Sequence, residues 1–266
     1  MKLKFLCFTF LIYLATVAIA QQTPAPLPAS KNSFIVIAHR GNHVRVPENT
    51  IESIEEAIKC GADYIETDLR TTKDGYLVIL HDASVDRITN GKGYVKDLTL
   101  KEIQQLTINK TYHIPEFKDV LNACNHRINI YLDFKDADVT ETYRQIKNAA
   151  MEKNIVVYLN APSQYEKWKR IAPSMPLMGS LPENIHSENE FDKFINKTQL
   201  AVLDNVNDSY MASVARNRGV SIWLDVQGKN EGPSIWKKAL QKNVQGFQTD
   251  NPEALINYLK SNGIRN

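Results

Sequence analysis

From Ser33 onward, short apolar runs of strand length alternate with longer stretches in which apolar residues recur at helical spacing. This alternation constrains the fold more than any other feature, because it indicates βα units that assemble into a parallel sheet. The nine candidate strands are residues 34–38, 63–68, 76–81, 128–133, 155–160, 176–180, 200–204, 221–225 and 246–250.

Capping residues help to locate the helices between these strands. Thr99 and Glu102, for example, have the spacing of a capping box at the start of a short helix. Helices are predicted over residues 51–60, 100–106, 115–124, 138–152, 163–170, 187–197, 208–218, 233–242 and 252–261.

The candidate strand 76–81 does not fit the alternation. Only seven residues separate it from Asp68, too few for a crossover helix between parallel strands. They include Asp74-Gly75, a strong signal for a two-residue hairpin turn, and a hairpin centred there places Asp68 opposite His81. The other eight strands predict a TIM (β/α)8 barrel, for which about 250 residues is a usual size. One barrel domain is expected over residues 33–266, with the hairpin as an excursion after the second strand.

Residues 1–20 have the composition of a secretory signal peptide. Two lysines precede an apolar run from Phe5 to Val17, and small residues follow at the cleavage spacing. Because the run is shorter than the roughly 20 apolar residues of a spanning helix, cleavage before Gln21 is favoured over a membrane anchor. The proline-rich residues 21–32 are predicted to form a linker. The mature chain is expected in the periplasm or the medium, without a stable membrane anchor.

Charge and cysteine content add two expectations. Without the two lysines of the signal peptide, the chain has 30 basic and 30 acidic residues, so no basic surface argues for nucleic acid as a partner. Export places Cys60 and Cys124 in an oxidising compartment, where they either pair or remain two separate buried thiols. The sequence leaves both alternatives open.

Polar residues follow the predicted strands at the points where they end. In TIM barrels the active site lies at the carboxyl ends of the strands. Charged groups at the mouth of an apolar core require compensation by a metal, a partner or a substrate charge. The residues predicted at this end are His39, Arg40, Glu66, Asp68, Asp133, Lys135, Asn160, Ser180, Asp204, Asn205, Trp223, Asp225, Thr249 and Asp250.

Three of these residues form a candidate metal site. Glu66 and Asp68 are separated by one residue, so on a strand their side chains point to the same face. Two carboxylates held so close repel each other unless a cation or a shared proton relieves them. With Asp133 from a nearby strand they make an all-oxygen set suited to Mg²⁺ or Ca²⁺. The alternative is a structural network with arginine or lysine side chains.

His39 and His81 are the candidate acid/base pair, because imidazole titrates near neutral pH. Arg40 and Lys135 offer cationic donors for a phosphate held between metal and protein. The same two cations can neutralise the neighbouring carboxylates, and both roles are compatible. Together these residues predict a metal-assisted acid/base site for a phosphate ester.

Three further residues have simpler interpretations. Trp223 either walls the pocket in support of the site or packs in the core, the default for an isolated tryptophan. His43 is interpreted as a surface or packing residue. Asp250 is expected to cap or turn into the last helix.

The chain resembles a known family over these residues. Ala38-His39-Arg40-Gly41, Pro47-Glu48-Asn49-Thr50, Glu66-x-Asp68 and His81-Asp82 closely resemble the motifs of the glycerophosphodiester phosphodiesterases, and the segment Gly246 to Pro252 is similar to that family's closing motif. The resemblance covers residues 34–135 and resumes over 221–252.

The resemblance implies a TIM barrel that uses a divalent cation to cleave glycerophosphodiesters to sn-glycerol 3-phosphate and an alcohol. It implies the following roles: His39 and His81 as acid/base groups, Glu66 and Asp68 as metal ligands, Arg40 as phosphate ligand and Glu48 as a supporting residue.

One departure concerns the third metal ligand. The family usually has Glu-x-Lys where this chain has Asp133-Phe134-Lys135. Because aspartate is one methylene shorter, the metal must shift or a water must bridge. Two alternatives to this function are a phosphodiesterase for another head group, including one that passes through a cyclic phosphate, and an exported barrel that binds phosphodiesters without turnover.

Overall fold

The structure is a computed structural model and describes residues 24–266. The predicted signal peptide therefore lies outside the described residues. Within residues 24–266, no helix has the length and the apolar character that a membrane crossing requires.

The described chain alternates strands and helices as the sequence predicts. In chain order the elements are β1 (Ile35–Ala38), α1 (Ile51–Cys60), β2 (Tyr64–Thr71), β3 (Leu77–Ile79), α2 (Leu100–Gln104), α3 (Phe117–Cys124), β4 (Asn129–Phe134), α4 (Val139–Asn148), β5 (Ile155–Leu159), α5 (Pro162–Ile171), β6 (Leu177–Gly179), α6 (Glu188–Thr198), β7 (Leu200–Leu203), α7 (Ser209–Asn217), β8 (Ser221–Asp225), α8 (Pro233–Leu240), β9 (Gly246–Thr249) and α9 (Pro252–Ser261).

Eight of these strands close into a parallel barrel. The strand β1 pairs in parallel with β9 on one side and with β2 on the other, and the remaining strands follow one another around the sheet. The main apolar core fills the space between the barrel and its outer helices. A second cluster, which includes Ile37, Tyr131 and Met178, fills the inside of the barrel. The predicted TIM (β/α)8 barrel is confirmed.

The hairpin after β2 is also confirmed, but its predicted register is wrong by one residue. β3 runs antiparallel to β2 and pairs Thr71 with Leu77. Asp68 therefore lies opposite Leu80, whose N–H donates to the Asp68 carbonyl at 3.0 Å, and not opposite His81. The cause is a three-residue turn that ends at Gly75, where φ is +85°. Such a turn adds one residue to the two-residue type that Asp-Gly most often forms.

Part of the proline-rich stretch packs against the barrel instead of standing free as a linker. Leu27 contacts the interior cluster, and the carbonyl of Pro28 accepts a hydrogen bond of 3.2 Å from the Tyr64 hydroxyl. The next carbonyl, of Ala29, accepts one of 2.9 Å from Asn129. Tyr64 and Asn129 are the first residues of β2 and β4. The prediction of a linker over 21–32 is thus corrected, because its described end covers the amino ends of the strands.

The two cysteines of the described chain are free thiols. Cys60 and Cys124 end α1 and α3. Burial raises the pKa of the Cys124 thiol to about 12, with a smaller opposing effect from Arg127. Of the two alternatives, the structure has the separate thiols.

Candidate active site

The three predicted metal ligands meet at the carboxyl ends of β2 and β4. Asp68 and Asp133 are partners in the parallel register of these two strands, and Glu66 precedes Asp68 on the same face. One carboxylate oxygen from each lies within 4.8 Å of the others. We call Glu66, Asp68 and Asp133 the acidic trio. The sequence prediction that these residues converge is therefore met in the structure.

The acidic trio is buried at Glu66 and Asp68 and half-buried at Asp133, and it has more negative charge than its neighbours balance. Glu66 is 3 % exposed and Asp68 1 % exposed. Lys135 forms an ion pair with Asp133, and its Nζ lies 3.1 Å from Asp68 Oδ1. Asn160, at the end of β5, donates a hydrogen bond of 2.7 Å to the other oxygen of Asp133. With Arg40 and Asn49, which contact Asp68, two cations and two side-chain amides face three carboxylates.

The ionisation of the acidic trio reflects this imbalance. Burial raises the pKa of Glu66 well above its ordinary value, and the charges of Asp68 and Asp133 raise it further. Burial also raises the pKa of Asp133, which Lys135 partly offsets. Glu66 and Asp133 therefore resist ionisation unless a further cation is present.

The donor set fits a hard divalent cation. All three groups offer oxygen, as Mg²⁺ and Ca²⁺ prefer. Asp68 Oδ1 is buried and accepts no hydrogen bond from the described chain, since the nearby Lys135 ammonium is not aligned for one. A free lone pair on a buried carboxylate is what a metal ligand requires. The shorter side chain of Asp133 does not prevent its oxygen from joining the cluster.

Arg40 lies between the acidic trio and the first βα loop. Its backbone adopts the left-handed region with φ of +53°, and its N–H donates to Glu66 at 2.8 Å. The guanidinium donates to Glu48 at 2.9 Å, and its Nε lies 3.8 Å from Asp68. Gly41 follows, where a Cβ atom would fall 2.3 Å from the hydroxyl oxygen of Ser53. The left-handed backbone at Arg40 and the close approach of Gly41 to Ser53 together turn the chain sharply after the end of β1.

His39 is held by a carboxylate on the opposite side from the acidic trio. Its Nδ1 lies 2.7 Å from Asp250 Oδ1, and its Nε2 lies 4.0 Å from Glu66. The hydrogen bonds of His39 and His43 lower the pKa of Asp250 strongly despite its partial burial. An ionised Asp250 accepts the Nδ1 proton of His39, which leaves the Nε2 lone pair toward the acidic trio.

His81 lies just beyond the hairpin and is held in the same manner. Its Nδ1 is 2.7 Å from Asp82, which accepts a hydrogen bond of 2.6 Å from Arg87. Arg87 in turn donates at 2.6 Å to Glu48, the residue that binds Arg40. His81 and Arg40 are thus joined through three intervening side chains, although the hairpin register does not place His81 directly opposite Asp68.

Glu48, which was predicted to support the site, lies between Arg40 and Arg87. Burial alone would raise its pKa, but the hydrogen bond from Arg87 and the charges of Arg40 and Arg87 outweigh burial and lower it. Glu48 is therefore an ionised bridge between two arginines. It connects the loop after β1 with the loop after β3.

Two interpretations of single residues need correction. Asp250 does not cap the last helix, because Asn251 occupies the position before α9, and Asp250 binds His39 instead. His43 is not a plain surface residue, since its Nε2 lies 3.2 Å from the same Asp250 oxygen. Barrel closure accounts for both errors, because it places β9 next to β1. Applying that adjacency to the sequence would have brought residue 250 to His39.

Trp223 lies in the barrel interior and not at the pocket wall. It is 2 % exposed, and its ring centroid is 4.9 Å from that of Tyr64. Its partner in the sheet is Gly246, the first residue of β9, where a Cβ would come 2.8 Å from the Trp223 ring. These neighbours belong to the amino ends of the strands. The structure thus corrects the supporting role predicted for Trp223 and agrees with the alternative of core packing.

The sequence reasoning missed several residues that hold the site together. Asn49 donates to Asp68 at 2.8 Å and accepts from Thr67 at 3.0 Å. Glu231 lies before α8 and accepts the N–H of Asp250 at 3.0 Å. Asn49 belongs to the motif Pro47-Glu48-Asn49-Thr50, so its role was the easier of the two to infer from the sequence. Glu231 lies in an exposed stretch with no local signal.

A parallel barrel with a carboxylate cluster and two carboxylate-bound histidines at its carboxyl end defines a class of hydrolytic enzyme. The model of the glycerophosphoryl diester phosphodiesterase family matches residues 39–254. The chain therefore belongs to that family, and it is an enzyme that hydrolyses phosphoric diesters.

Individual relatives agree with this assignment. A glycerophosphodiester phosphodiesterase from Caldanaerobacter subterraneus is 28% identical over 248 residues, which cover 86% of this chain and 99% of the relative. Glycerophosphodiester phosphodiesterase 1 from Bos taurus is 38% identical over 230 residues, covering 79% and 69% of the two chains.

Solved structures match the fold. The glycerophosphodiester phosphodiesterase from Agrobacterium tumefaciens has a TM-score of 0.73 at 22% identity and covers 83% of this chain and 98% of its own. A phosphodiesterase from Oleispira antarctica, in complex with the product sn-glycerol-3-phosphate, has a TM-score of 0.70 at 19% identity, with coverages of 85% and 96%. At these identities the likeness supports the barrel itself.

Proposed function

We propose that this chain is a divalent-metal-dependent hydrolase that cleaves glycerophosphodiesters to sn-glycerol 3-phosphate and an alcohol, with His39 and His81 as its acid and base. The observation that supports this most is the pairing of each imidazole with a carboxylate through Nδ1, at 2.7 Å in both cases. Both histidines thereby keep Nε2 for chemistry. The relatives named for glycerophosphodiesters and the product bound in the Oleispira antarctica structure support the substrate class.

In this proposal the acidic trio would hold Mg²⁺ or Ca²⁺, which would supply positive charge to stabilise a phosphate oxygen. Arg40 and Lys135 add donors to the phosphate at the edge of the acidic trio. Asp250 and Asp82 orient the two imidazoles. One imidazole accepts at Nε2 the proton of the attacking group, which is either water or a substrate hydroxyl, and the other donates its proton to the departing alkoxide.

The geometry of the site can be compared with what two rival functions would require. A barrel that only binds phosphodiesters needs cations but has no use for two carboxylate-oriented imidazoles, so the geometry favours turnover. A phosphodiesterase for another head group, or one that forms a cyclic phosphate from a substrate hydroxyl, would use the same groups. ³¹P spectra of the reaction distinguish these outcomes, because a cyclic phosphate and sn-glycerol 3-phosphate differ in chemical shift.

The direct test measures choline release from glycerophosphocholine by the mature chain. Activity should disappear in EDTA and return with Mg²⁺ or Ca²⁺. His39→Ala and His81→Ala should each lose about 10²- to 10⁴-fold in kcat, the usual contribution of general acid–base catalysis. His186→Ala is the matched control, because His186 is exposed and remote from the site in sequence. Full turnover in either site variant would refute the assigned roles.

The location of the protein is part of the proposal. Residues 1–20 are proposed to direct export and to be removed before Gln21, which places the enzyme in the periplasm or the medium. The mass of the chain recovered from its native host tests this directly. A mass that includes residues 1–20 would contradict it.

A further inference from the structure

A second cluster of possible metal ligands lies beside the acidic trio. It consists of His39, His43 and Asp250, whose ligand atoms all lie within 4.8 Å of one another. Asp250 Oδ1 is 2.7 Å from His39 Nδ1 and 3.2 Å from His43 Nε2. The side chains are 16 %, 25 % and 30 % exposed, respectively, for His39, His43 and Asp250. Solvent therefore reaches this cluster, which we call the histidine cluster.

The backbone on both sides of the histidine cluster is fixed. Glu231 accepts the Asp250 N–H at 3.0 Å and the Asn251 side chain at 3.2 Å. On the other side, the N–H of Asn42 donates to the Ser53 carbonyl at 2.9 Å, which ties the turn before His43 to α1. Ligands that are held in place before binding lose little freedom when a metal binds.

The donor types of the two clusters differ. The acidic trio offers three oxygens, as Mg²⁺ and Ca²⁺ prefer. The histidine cluster offers two imidazole nitrogens and one carboxylate, a set that binds Zn²⁺ with water in the fourth position. We propose that the histidine cluster is a separate, inhibitory site for Zn²⁺.

Inhibition follows from which nitrogen of His39 the zinc would take; this step rests on the proposed function. To bind zinc, Nδ1 of His39 must give up the proton that it otherwise donates to Asp250. The single ring proton of neutral His39 then resides on Nε2, and no proton is gained or lost by the ring. His39 is then a neutral ring without a lone pair toward the acidic trio, so it can neither accept the proton of the attacking group nor donate one as an imidazolium.

Zinc binding is tested first without any assay of activity. The mature chain in a large excess of Mg²⁺ is titrated with Zn²⁺ in a calorimeter, and one zinc ion per chain is expected. His43→Gln should weaken this binding at least 10-fold, whereas His186→Gln should not change it. Equal zinc affinity in wild type and His43→Gln would overturn the proposal.

The activity test separates the two clusters. Each protein is compared with its own zinc-free rate. In the wild type, the zinc concentration for half inhibition should be independent of the Mg²⁺ concentration. In His43→Gln it should be at least 10-fold higher than in the wild type. A half-inhibitory concentration that rises in proportion to Mg²⁺ would place zinc at the acidic trio and refute the inference. If glycerophosphocholine is not turned over at all, the calorimetric result still decides the zinc site, while the proposed function fails on its own.

Discussion

Asp250 is the residue through which the last strand of the barrel acts on His39. Its carboxylate fixes the ring by accepting from Nδ1, and an asparagine there could turn its NH₂ toward the ring and favour the wrong tautomer. Asp250→Asn should lower kcat about 100-fold, within the range that general acid–base catalysis contributes. KM should change little, because substrate binding does not depend on the tautomer.

The matched control is Glu253→Gln, an exposed change in the first turn of α9. It should retain full activity. A loss in Asp250→Asn that appears in KM alone would show that Asp250 serves binding and not the orientation of His39.

Asp82 gives the molecule a pH-dependent contribution to stability. The hydrogen bond from Arg87, with a smaller one from His81, lowers the pKa of Asp82 from 3.8 to about 2, against a weaker effect of burial. A carboxyl whose pKa is lower in the folded state stabilises the fold above its unfolded pKa and loses that effect as pH falls through the folded pKa. Asp82→Asn should therefore be less stable than wild type at pH 6, with the difference shrinking between pH 4 and pH 2.

Urea unfolding at several pH values measures this difference. In an Arg87→Gln background the same Asp82→Asn change should have little effect at any pH, because the dominant partner is gone. A pH-independent difference between wild type and Asp82→Asn would show that the ion pair with Arg87 is not its source.

Residues of the site differ in how far the sequence reveals them. Glu66 and Asp68 were predictable, since their spacing on one strand fixes a common face. Asp250 was not interpreted correctly, because its role depends on a contact across 211 positions of sequence. The local sequence pattern shows which side chains of one strand share a face. Contacts between the first and last strands of the barrel become apparent only once the strands are arranged in a ring.

At the scale of elements, the hairpin of β2 and β3 depends on one glycine. Gly75 has φ of +85°, and a Cβ there would meet no atom within 4 Å. Gly75→Ala should thus destabilise the fold by about 1–2 kcal/mol through backbone strain alone. Gly232→Ala is a matched control, because Gly232 also has open space but lies outside the left-handed region. Urea unfolding that shows equal effects for both variants would contradict this explanation.

The helices and strands themselves were predictable because each has a local cause. The capping box of Thr99 and Glu102 is present, with the Thr99 side chain accepting the Glu102 N–H. The hairpin register was not predictable from Asp74-Gly75 alone, since the same dipeptide also fits a three-residue turn. One added residue reverses the faces of the strand that follows. The position of His81 therefore required the structure.

At the scale of the whole molecule, different groups occupy the two ends of the barrel. The carboxyl ends of the strands hold the charged groups, and the amino ends are covered by residues 27–32. Besides the contacts of Leu27, Pro28 and Ala29, Ser30 and Asn32 donate to Asp63 at 2.8 and 2.7 Å. The proline-rich composition suggested a linker because it has no periodicity, but a segment without periodicity can still be held by its carbonyls.

This arrangement predicts that stability and catalysis can be separated by truncation. A mature chain that begins at Ser33 lacks four hydrogen bonds to the barrel and the Leu27 side chain. At about 0.5–1.5 kcal/mol per hydrogen bond and about 1.5 kcal/mol for a partly buried leucine, it should lose roughly 3.5–7.5 kcal/mol of unfolding free energy. A chain that begins at Pro26 keeps all of these contacts and should match the full mature chain.

Turnover should respond differently, because the acidic trio and both histidines lie at the other end of the barrel. Below its unfolding transition, the chain that begins at Ser33 should show the kcat of the chain that begins at Pro26, once both are corrected for the folded fraction. Asp63 keeps the Val36 N–H at 2.8 Å and its ion pair with Arg265, so truncation leaves no unpaired buried charge to disturb the strands. Equal urea midpoints would show that residues 27–32 do not stabilise the barrel, and a lowered kcat would show that its two ends are coupled.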